Sequence, residues 1–333
     1  MMWLNALDII IGVSLVLWGA DRLTDAASNL ARRMRIPEII IGLTIVAAGT
    51  SAPELFVSLL SALKGTADLA VGNVVGSNIF NTMLIVGCSA VVAPMAIAPS
   101  TVKKDIPFAV VASVMLYAAC MDSFNSPHLW GNEISRIDGA VLLCGFIIFM
   151  IYTFQQARKS GALKSPAEYE AERIEQDNAG ELKLPAFWPN FAWIFIGLFC
   201  LIFGSNIFVD AASDIATHFG IKQSVIGLTI VAGGTSLPEL ATSIVAARKG
   251  QSALAIGNAL GSNVFNILLI VGLAAFIQPM RIIGITIVDL TAMLVSIGLV
   301  WVFAYTKYTV SRREGIVLVL GFLCYMGWLL YTI

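Results

Sequence analysis

One stretch occurs twice in this chain, and each copy places a carboxylate behind a proline inside an apolar run. The segment from Gly42 to Glu54 (GLTIVAAGTSAPE) returns as Gly227 to Glu239 (GLTIVAGGTSLPE). An acidic side chain at the centre of a membrane-spanning helix costs roughly 2.5 to 3.5 kcal/mol to insert, and such residues usually mark ion or proton pathways. The two copies are related by a fixed offset of 185 residues, which also carries Asp25-Ala26-Ala27-Ser28 onto Asp210-Ala211-Ala212-Ser213 and Pro94-Met95 onto Pro279-Met280. Residues 42–95 and 227–280 are identical at 32 of 54 positions without a gap. Chance likeness between apolar helices does not keep glycine, asparagine, proline and glutamate in register.

Hydrophobic residues make up 58% of the chain and charged residues 12%, with mean hydropathy +0.86, against about 25% charged residues in ordinary soluble domains. That composition implies an all-α polytopic membrane protein; the short alternating segments of a β-barrel are absent. Ten apolar spans of roughly helix-spanning length are expected near Leu7 to Leu23, Ile36 to Leu63, Leu69 to Val92, Ile106 to Cys120, Ile137 to Phe154, Phe191 to Val209, Val225 to Ala247, Leu254 to Ile277, Ile283 to Tyr305 and Gly315 to Tyr331. The N-terminal residues lack the positive region and cleavage signal of a leader and read as a retained first helix. The polar interval from Gln155 to Pro185 divides the chain into a first five-helix repeat (1–155, with motif 42–95), a linker (156–188) and a second repeat (189–333, with motif 227–280). Five spans per repeat is an odd number, so equivalent helices cross in opposite directions as an inverted-topology repeat. In such proteins the binding site lies near the bilayer midplane on interrupted helices.

Lysine and arginine set the expected orientation. Fifteen fall in one alternating set of loops and four in the other, which makes linker 156–188 cytoplasmic and puts both termini on the outer face of a plasma (inner) membrane. The net charge of -1 and the absence of a basic cluster argue against a nucleic-acid partner. Cys88, Cys120, Cys144, Cys200 and Cys324 show no metal-ligand spacing and read as packing residues. His128 and His218 read as surface residues near the membrane boundary. Asp21, Asp25, Asp210 and Asp214, and likewise Asp105 and Asp289, read as interfacial caps at span ends.

Within the second span, Ala47, Thr50, Ser51 and Glu54 follow helical spacing and share one face; Ala232, Thr235, Ser236 and Glu239 repeat it. Pro53 and Pro238 lack an N–H and clash with the carbonyl four residues back, which frees the carbonyls of Gly49 and Gly234. The next span in each repeat adds Ser77 with Asn81 and Ser262 with Asn266, each pair one helical turn apart. Asn73, Asn78, Asn258 and Asn263 either bridge helices or touch ions. Carboxylates, hydroxyls and carbonyls form an oxygen-only set suited to calcium or sodium. The structural alternative, protonated and hydrogen-bonded glutamates, is weaker because two costly intramembrane acids at symmetric positions point to function over accident; no intramembrane lysine or arginine is available to pair with them. An intramembrane hydrolase is excluded by the lack of any His-Glu-x-x-His or Gly-x-Gly-Asp motif, and no histidine lies near a core serine. A passive channel is disfavoured because the symmetry lies within one chain.

The motifs AGTSAPE at 48–54, GGTSLPE at 233–239 and the two GNxxGSNxFN runs at 72–81 and 257–266 resemble the α-repeats of the calcium/cation antiporter superfamily, most nearly its prokaryotic sodium/calcium exchangers. The resemblance implies ten helices, with the second, third, seventh and eighth forming a rigid core and the first and sixth sliding across it. It further implies that Glu54 and Glu239 are the central ligands and that Thr50, Ser51, Ser77, Thr235, Ser236 and Ser262 give further oxygens. Ala47 and Ala232 would offer carbonyls to flanking sodium sites, and Asn81 and Asn266 would complete the ring. Calcium and sodium would be transported ions and not cofactors, no prosthetic group is expected, and a monomer would suffice. Some relatives carry aspartate where this chain has Asn266, which puts three-for-one exchange in question. Calcium extrusion against sodium is the leading expectation. Proton-coupled calcium exchange, with the glutamates taking protons, is the alternative.

Overall fold

The computed structural model describes residues 2–121, 133–162, 187–220, 232–282 and 284–332. The first repeat contributes α1 (Met2–Met34), α2 (Glu38–Thr50), α3 (Ala52–Leu63), α4 (Ala67–Val92), α5 (Ile106–Cys120) and α6 (Arg136–Ala162). The second contributes α7 (Phe187–His218), α8 (Ala232–Thr235), α9 (Leu237–Arg248), α10 (Ser252–Ile277), α11 (Ile287–Lys307) and α12 (Arg312–Thr332). Seven of these helices are long and apolar enough to cross a membrane, and α2 with α3, bent by 50° at their break, passes the same test as a pair. The start of the seventh expected span (225–231), the bulk of the linker and His128 lie outside the described residues.

Burial separates centre from periphery. The most apolar windows of α4 and α10 are 72% and 78% buried, against 22% for α1, 28% for α7 and 11% for α12. The exposed faces of the outer helices carry large apolar side chains such as Leu17, Phe199 and Leu320, as contact with lipid requires. In α10 every residue from Leu254 to Val264 is buried, because small residues at Gly257 and Gly261 let α2 approach. A β-carbon at Gly257 would lie 2.8 Å from the carbonyl oxygen of Ile39, and one at Gly261 2.7 Å from Ala47 Cβ.

The equivalent helices α1 and α7 pack antiparallel along their length. Gly12 meets Gly204 and Gly19 meets Gly197; a β-carbon at Gly12 would sit 2.8 Å from the Gly204 carbonyl oxygen, and one at Gly19 2.7 Å from that of Gly197. The 185-residue offset maps Gly12 onto Gly197 and Gly19 onto Gly204, so the contact is two-fold. Four short strands cross-link the repeats: β1 (Met95–Ala96) pairs antiparallel with β4 (Thr309–Val310), and β2 (Glu133–Ile134) with β3 (Met280–Arg281).

Several sequence expectations are corrected here. Asp21, Asp25, Asp210 and Asp214 do not cap helix ends, because α1 and α7 run well past the apolar windows that end at Leu23 and Val209. In α1 the extension is held by buried Ala26, Ala27, Leu30 and Ala31. Asp289 does cap: its carboxylate accepts from the Thr286 N–H at 2.8 Å and hydroxyl at 2.7 Å, and Tyr325 donates to its other oxygen. Asp105 instead ends a π-helical turn (Thr101–Asp105) that runs directly into α5, and its side chain is buried without a capping bond. Cys120 is buried, Cys88 and Cys200 partly so, and Cys144 and Cys324 are exposed on their helices, so packing is not the role of all five. His218 is the exposed last residue of α7.

Candidate cation site

The helix breaks are built alike. Ser51 (φ -81°, ψ 8°) separates α2 from α3, and Ser236 (φ -94°, ψ 7°) separates α8 from α9. Pro53 and Pro238 occupy the opening turn of the new helix, where a missing N–H leaves no bond unmade. Glu54 and Glu239 follow directly, still in the first turn, where unpaired N–H groups and the helix dipole favour negative charge. The proline therefore restarts the helix and sets the carboxylate at the positive end of the restarted segment; the Gly49 carbonyl is not left free by it, because a backbone N–H at the break bonds to it.

The two breaks face each other. Ser51 Oγ donates to Glu239 Oε1 at 3.0 Å, and Ser236 Oγ donates to Glu54 Oε1 at 3.0 Å. Both glutamates are 1% exposed. Ser236 also meets Ser77 Oγ at 3.2 Å, and Ser262 Oγ reaches Glu239 Oε1 at 3.5 Å. Thus α4 and α10 each bring a serine, Ser77 and Ser262, against the paired breaks. On the outside, Leu198 of α7 rests on the first break: a β-carbon at Gly49 would fall 2.5 Å from its Cδ1.

Asparagines tie the central helices together. Asn73 Nδ2 donates to Ser58 Oγ and Asn258 Nδ2 to Ser243 Oγ, both at 3.0 Å, an identical link in each repeat. Asn258 further donates to the Glu239 carbonyl at 3.3 Å and accepts from Thr50 Oγ1 at 3.2 Å. Asn81 Nδ2 donates to Asn263 Oδ1 at 3.1 Å, joining α4 to α10. Asn78 bonds within its own helix, to the Val74 carbonyl. Asn81 and Asn266 lie in π-helical turns, Phe80–Ile85 and Phe265–Val271, at equivalent places, and such turns are frequent at functional sites.

What is left over defines the chemistry. Glu54 Oε2, Glu239 Oε2, Asn78 Oδ1, Asn81 Oδ1 and both polar atoms of Asn266 are buried without a protein partner. Buried carboxylates with an unpaired oxygen are expensive unless a cation meets them. Among the described residues no three His, Cys, Asp or Glu side chains cluster, so neutral oxygens must complete any coordination shell around the two glutamates. Thr50, Ser51, Ser77, Ser236 and Ser262 are gathered at this centre. The Ala47 carbonyl lies one turn before the break and already accepts the Ser51 N–H at 2.9 Å. Ala232 opens α8 and Thr235, half-buried, closes it. Ser58 and Ser243, which hold Asn73 and Asn258, were not singled out in the sequence, although both are identical across the 185-residue offset.

The sodium/calcium exchanger protein family matches residues 5–155 and 189–331, leaving out only the linker and the extreme ends. The sodium/calcium exchanger MaX1 of Methanosarcina acetivorans is 29% identical over 349 aligned positions, covering 99% of this chain and all of that protein. Inner membrane protein YrbG of Escherichia coli is 37% identical over 271 positions, covering 81% of this chain and 79% of its own. A solved structure of the sodium-calcium exchanger NCX_Mj superposes with a TM-score of 0.79 at 28% identity, covering 98% of this chain and 99% of that one. The match is to transporters and not to enzymes. A duplicated helix break, buried paired glutamates and agreement across both repeats lead to one assignment: the chain belongs to the sodium/calcium exchanger family.

Proposed function

We propose that the chain is a secondary antiporter that moves calcium out of the cell in exchange for sodium, by alternating access to one shared site. The observation that carries this reading is the crossed pair of hydrogen bonds from Ser51 to Glu239 and from Ser236 to Glu54, which leaves one unpartnered oxygen on each buried glutamate. A calcium ion bridging those two oxygens is neutralised by them, and sodium ions competing for the same oxygens displace it. An empty site holds two repelling carboxylates in a low-dielectric interior and resists crossing the membrane, so exchange is favoured over leak.

In this reading Glu54 and Glu239 bind both ions. Thr50, Ser51, Ser77, Asn81, Thr235, Ser236, Ser262 and Asn266 supply further oxygens, and the carbonyls of Ala47 and Ala232 serve flanking sodium. The chain forms ten spans as two inverted five-helix repeats, 1–155 and 189–333, joined by a cytoplasmic linker at 156–188. Both termini face outward in the plasma membrane, and a monomer suffices. The antiparallel contact of α1 with α7 and the crossed serine–glutamate bonds support the inverted relation.

Reconstituted vesicles test the coupling. Uptake of radioactive calcium that requires an outward sodium gradient is expected. Uptake driven by a proton gradient alone would replace sodium with protons as the counter-ion, and calcium flux with no counter-ion would contradict antiport.

A further inference from the structure

We infer that the joint between α1 and the start of α7 is a binding site for an anionic phospholipid, which holds the headgroup of a lipid such as phosphatidylglycerol by its phosphodiester. The site lies apart from the paired glutamates and does not depend on which ions are transported. A cavity of about 450 Å³ is bordered there by Arg22, Asn29 and Arg32 of α1, Asn190 and Trp193 of α7, and Gln251 at the N-cap of α10.

The cavity lies where apolar surface gives way to polar. From Trp3 to Trp18, α1 exposes large apolar side chains; Asp21, Arg22 and Asp25 follow. On the antiparallel α7, exposed Trp193, Phe195, Ile196 and Phe199 succeed the buried Asn190. Trp18 and Trp193 meet edge to face with ring centroids 6.0 Å apart, and the Arg22 guanidinium carbon lies 5.7 Å from one centroid and 5.8 Å from the other. Tryptophan concentrates at headgroup level in membranes. An indole face attracts a guanidinium without consuming its N–H donors, and those donors match the oxygens of a phosphate.

The charges leave room for an anion. Arg22 and Arg32 make no ion pair among the described residues. Asp25 also borders the cavity, but Lys249 holds it and Asp21, each at 2.7 Å. Glu38, which accepts from the Ser28 hydroxyl, is not among the lining residues. The two guanidiniums are therefore the unmatched charges of the cavity. Gln251 Oε1 is buried without a protein partner, and a headgroup hydroxyl, which phosphatidylglycerol carries, can donate to it. Asn29 Nδ2 reaches Asn190 Oδ1 at 3.4 Å, so a headgroup seated here touches both helices.

The two-fold relation does not account for this set. The 185-residue offset pairs Trp18 with Phe203, Arg22 with Ile207, Arg32 with Thr217 and Trp193 with Asp8. At those four positions the other end of the α1–α7 pair carries no cation and no indole, so the set is an addition to one end and not part of the duplicated frame.

Tryptophan fluorescence of the full-length protein tests the site. The protein is placed in phosphatidylcholine vesicles holding a small fraction of phosphatidylglycerol or of phosphatidylcholine with brominated chains, which quench indoles in contact with them. Each arginine is expected to favour the anionic lipid by roughly fivefold. Quenching by brominated phosphatidylglycerol should then reach its half-maximum at a fraction roughly twenty-five-fold lower than that of the brominated phosphatidylcholine. The doubly substituted Arg22→Gln, Arg32→Gln protein, altered at two exposed side chains, is expected to respond alike to both lipids. The selective part of the quenching is expected to vanish with Trp18→Phe and Trp193→Phe together. Equal quenching by the two lipids in the unmodified protein, or a preference that survives either double variant, would overturn the inference. Soluble glycerol phosphate is expected to leave the quenching unchanged; relief of quenching would indicate a site for free phosphate and overturn the lipid assignment. No ion gradient is applied, so these outcomes are separate from those that test exchange.

Discussion

Ser51 and Ser236 stand where a helix ordinarily caps itself, three residues ahead of a glutamate, in the pattern of a capping box. Neither makes a capping bond within its own segment; each hydroxyl crosses to the glutamate of the other repeat. A hydrogen bond to a charged group contributes about 1.5 to 3 kcal/mol. Ser51→Ala or Ser236→Ala is therefore expected to weaken apparent calcium affinity by roughly ten- to a hundredfold, read from the calcium concentration giving half-maximal exchange. Glu54→Gln is expected to abolish sodium-dependent calcium uptake with expression intact; an active variant would refute the site. The glutamates could be located from sequence because a buried charge is too costly to be incidental. The crossing of their partners could not, since a serine three residues before a glutamate reads equally well as a local cap. Asn258 shows the same limit: its bonds to Thr50, Ser243 and the Glu239 backbone depend on how α10 packs, which spacing along one helix does not reveal.

At the scale of elements, proline and glycine do most of the shaping. Pro53 and Pro238 turn one apolar span into two helices, and the break was readable because proline cannot continue the backbone bonding. Helix length was not. Hydropathy marks the stretch that meets lipid, but α1 continues to Met34 on a stripe of buried small side chains, so Asp21 and Asp25 end up in its body. There they meet Lys249 at the end of α9, each at 2.7 Å from Nζ, while Thr24 accepts from the same ammonium at 3.2 Å. Lys64 is the equivalent of Lys249 by the 185-residue offset, yet it is exposed and has no ion pair among the described residues. Lys249→Gln is thus expected to loosen α1 from α9 more than Lys64→Gln loosens the other side. With Lys249 and both aspartates part-exposed, the loss in stability stays below about 1 kcal/mol. Raised thiol labelling of a cysteine placed at Thr24 would report it. Gly204→Leu should do more damage, since α1 and α7 touch at backbone distance there. Overpacking of this kind typically costs about 1 to 3 kcal/mol, and lowered thermal stability in detergent would show it.

Across the whole molecule, one two-fold relation links features that are far apart in sequence. It joins Gly12 with Gly204, Ser51 with Glu239, Ser236 with Glu54, and the two strand pairs that stitch the repeats together. The ungapped offset of 185 residues made the duplication visible, and the odd number of expected spans made an antiparallel arrangement the natural outcome. Which surfaces would face each other had to come from packing, because apolar helices in lipid are sorted by small residues and hydrogen bonds more than by hydropathy. The central consequence of the proposed function is a single site built by both repeats, with neither holding an ion alone. Calcium titration of the purified protein in detergent, beside the Glu54→Gln and Glu239→Gln variants, tests this most directly. One calcium ion per chain, with binding lost in both single variants, is the expected result; two ions per chain, or undiminished binding in either variant, would contradict it.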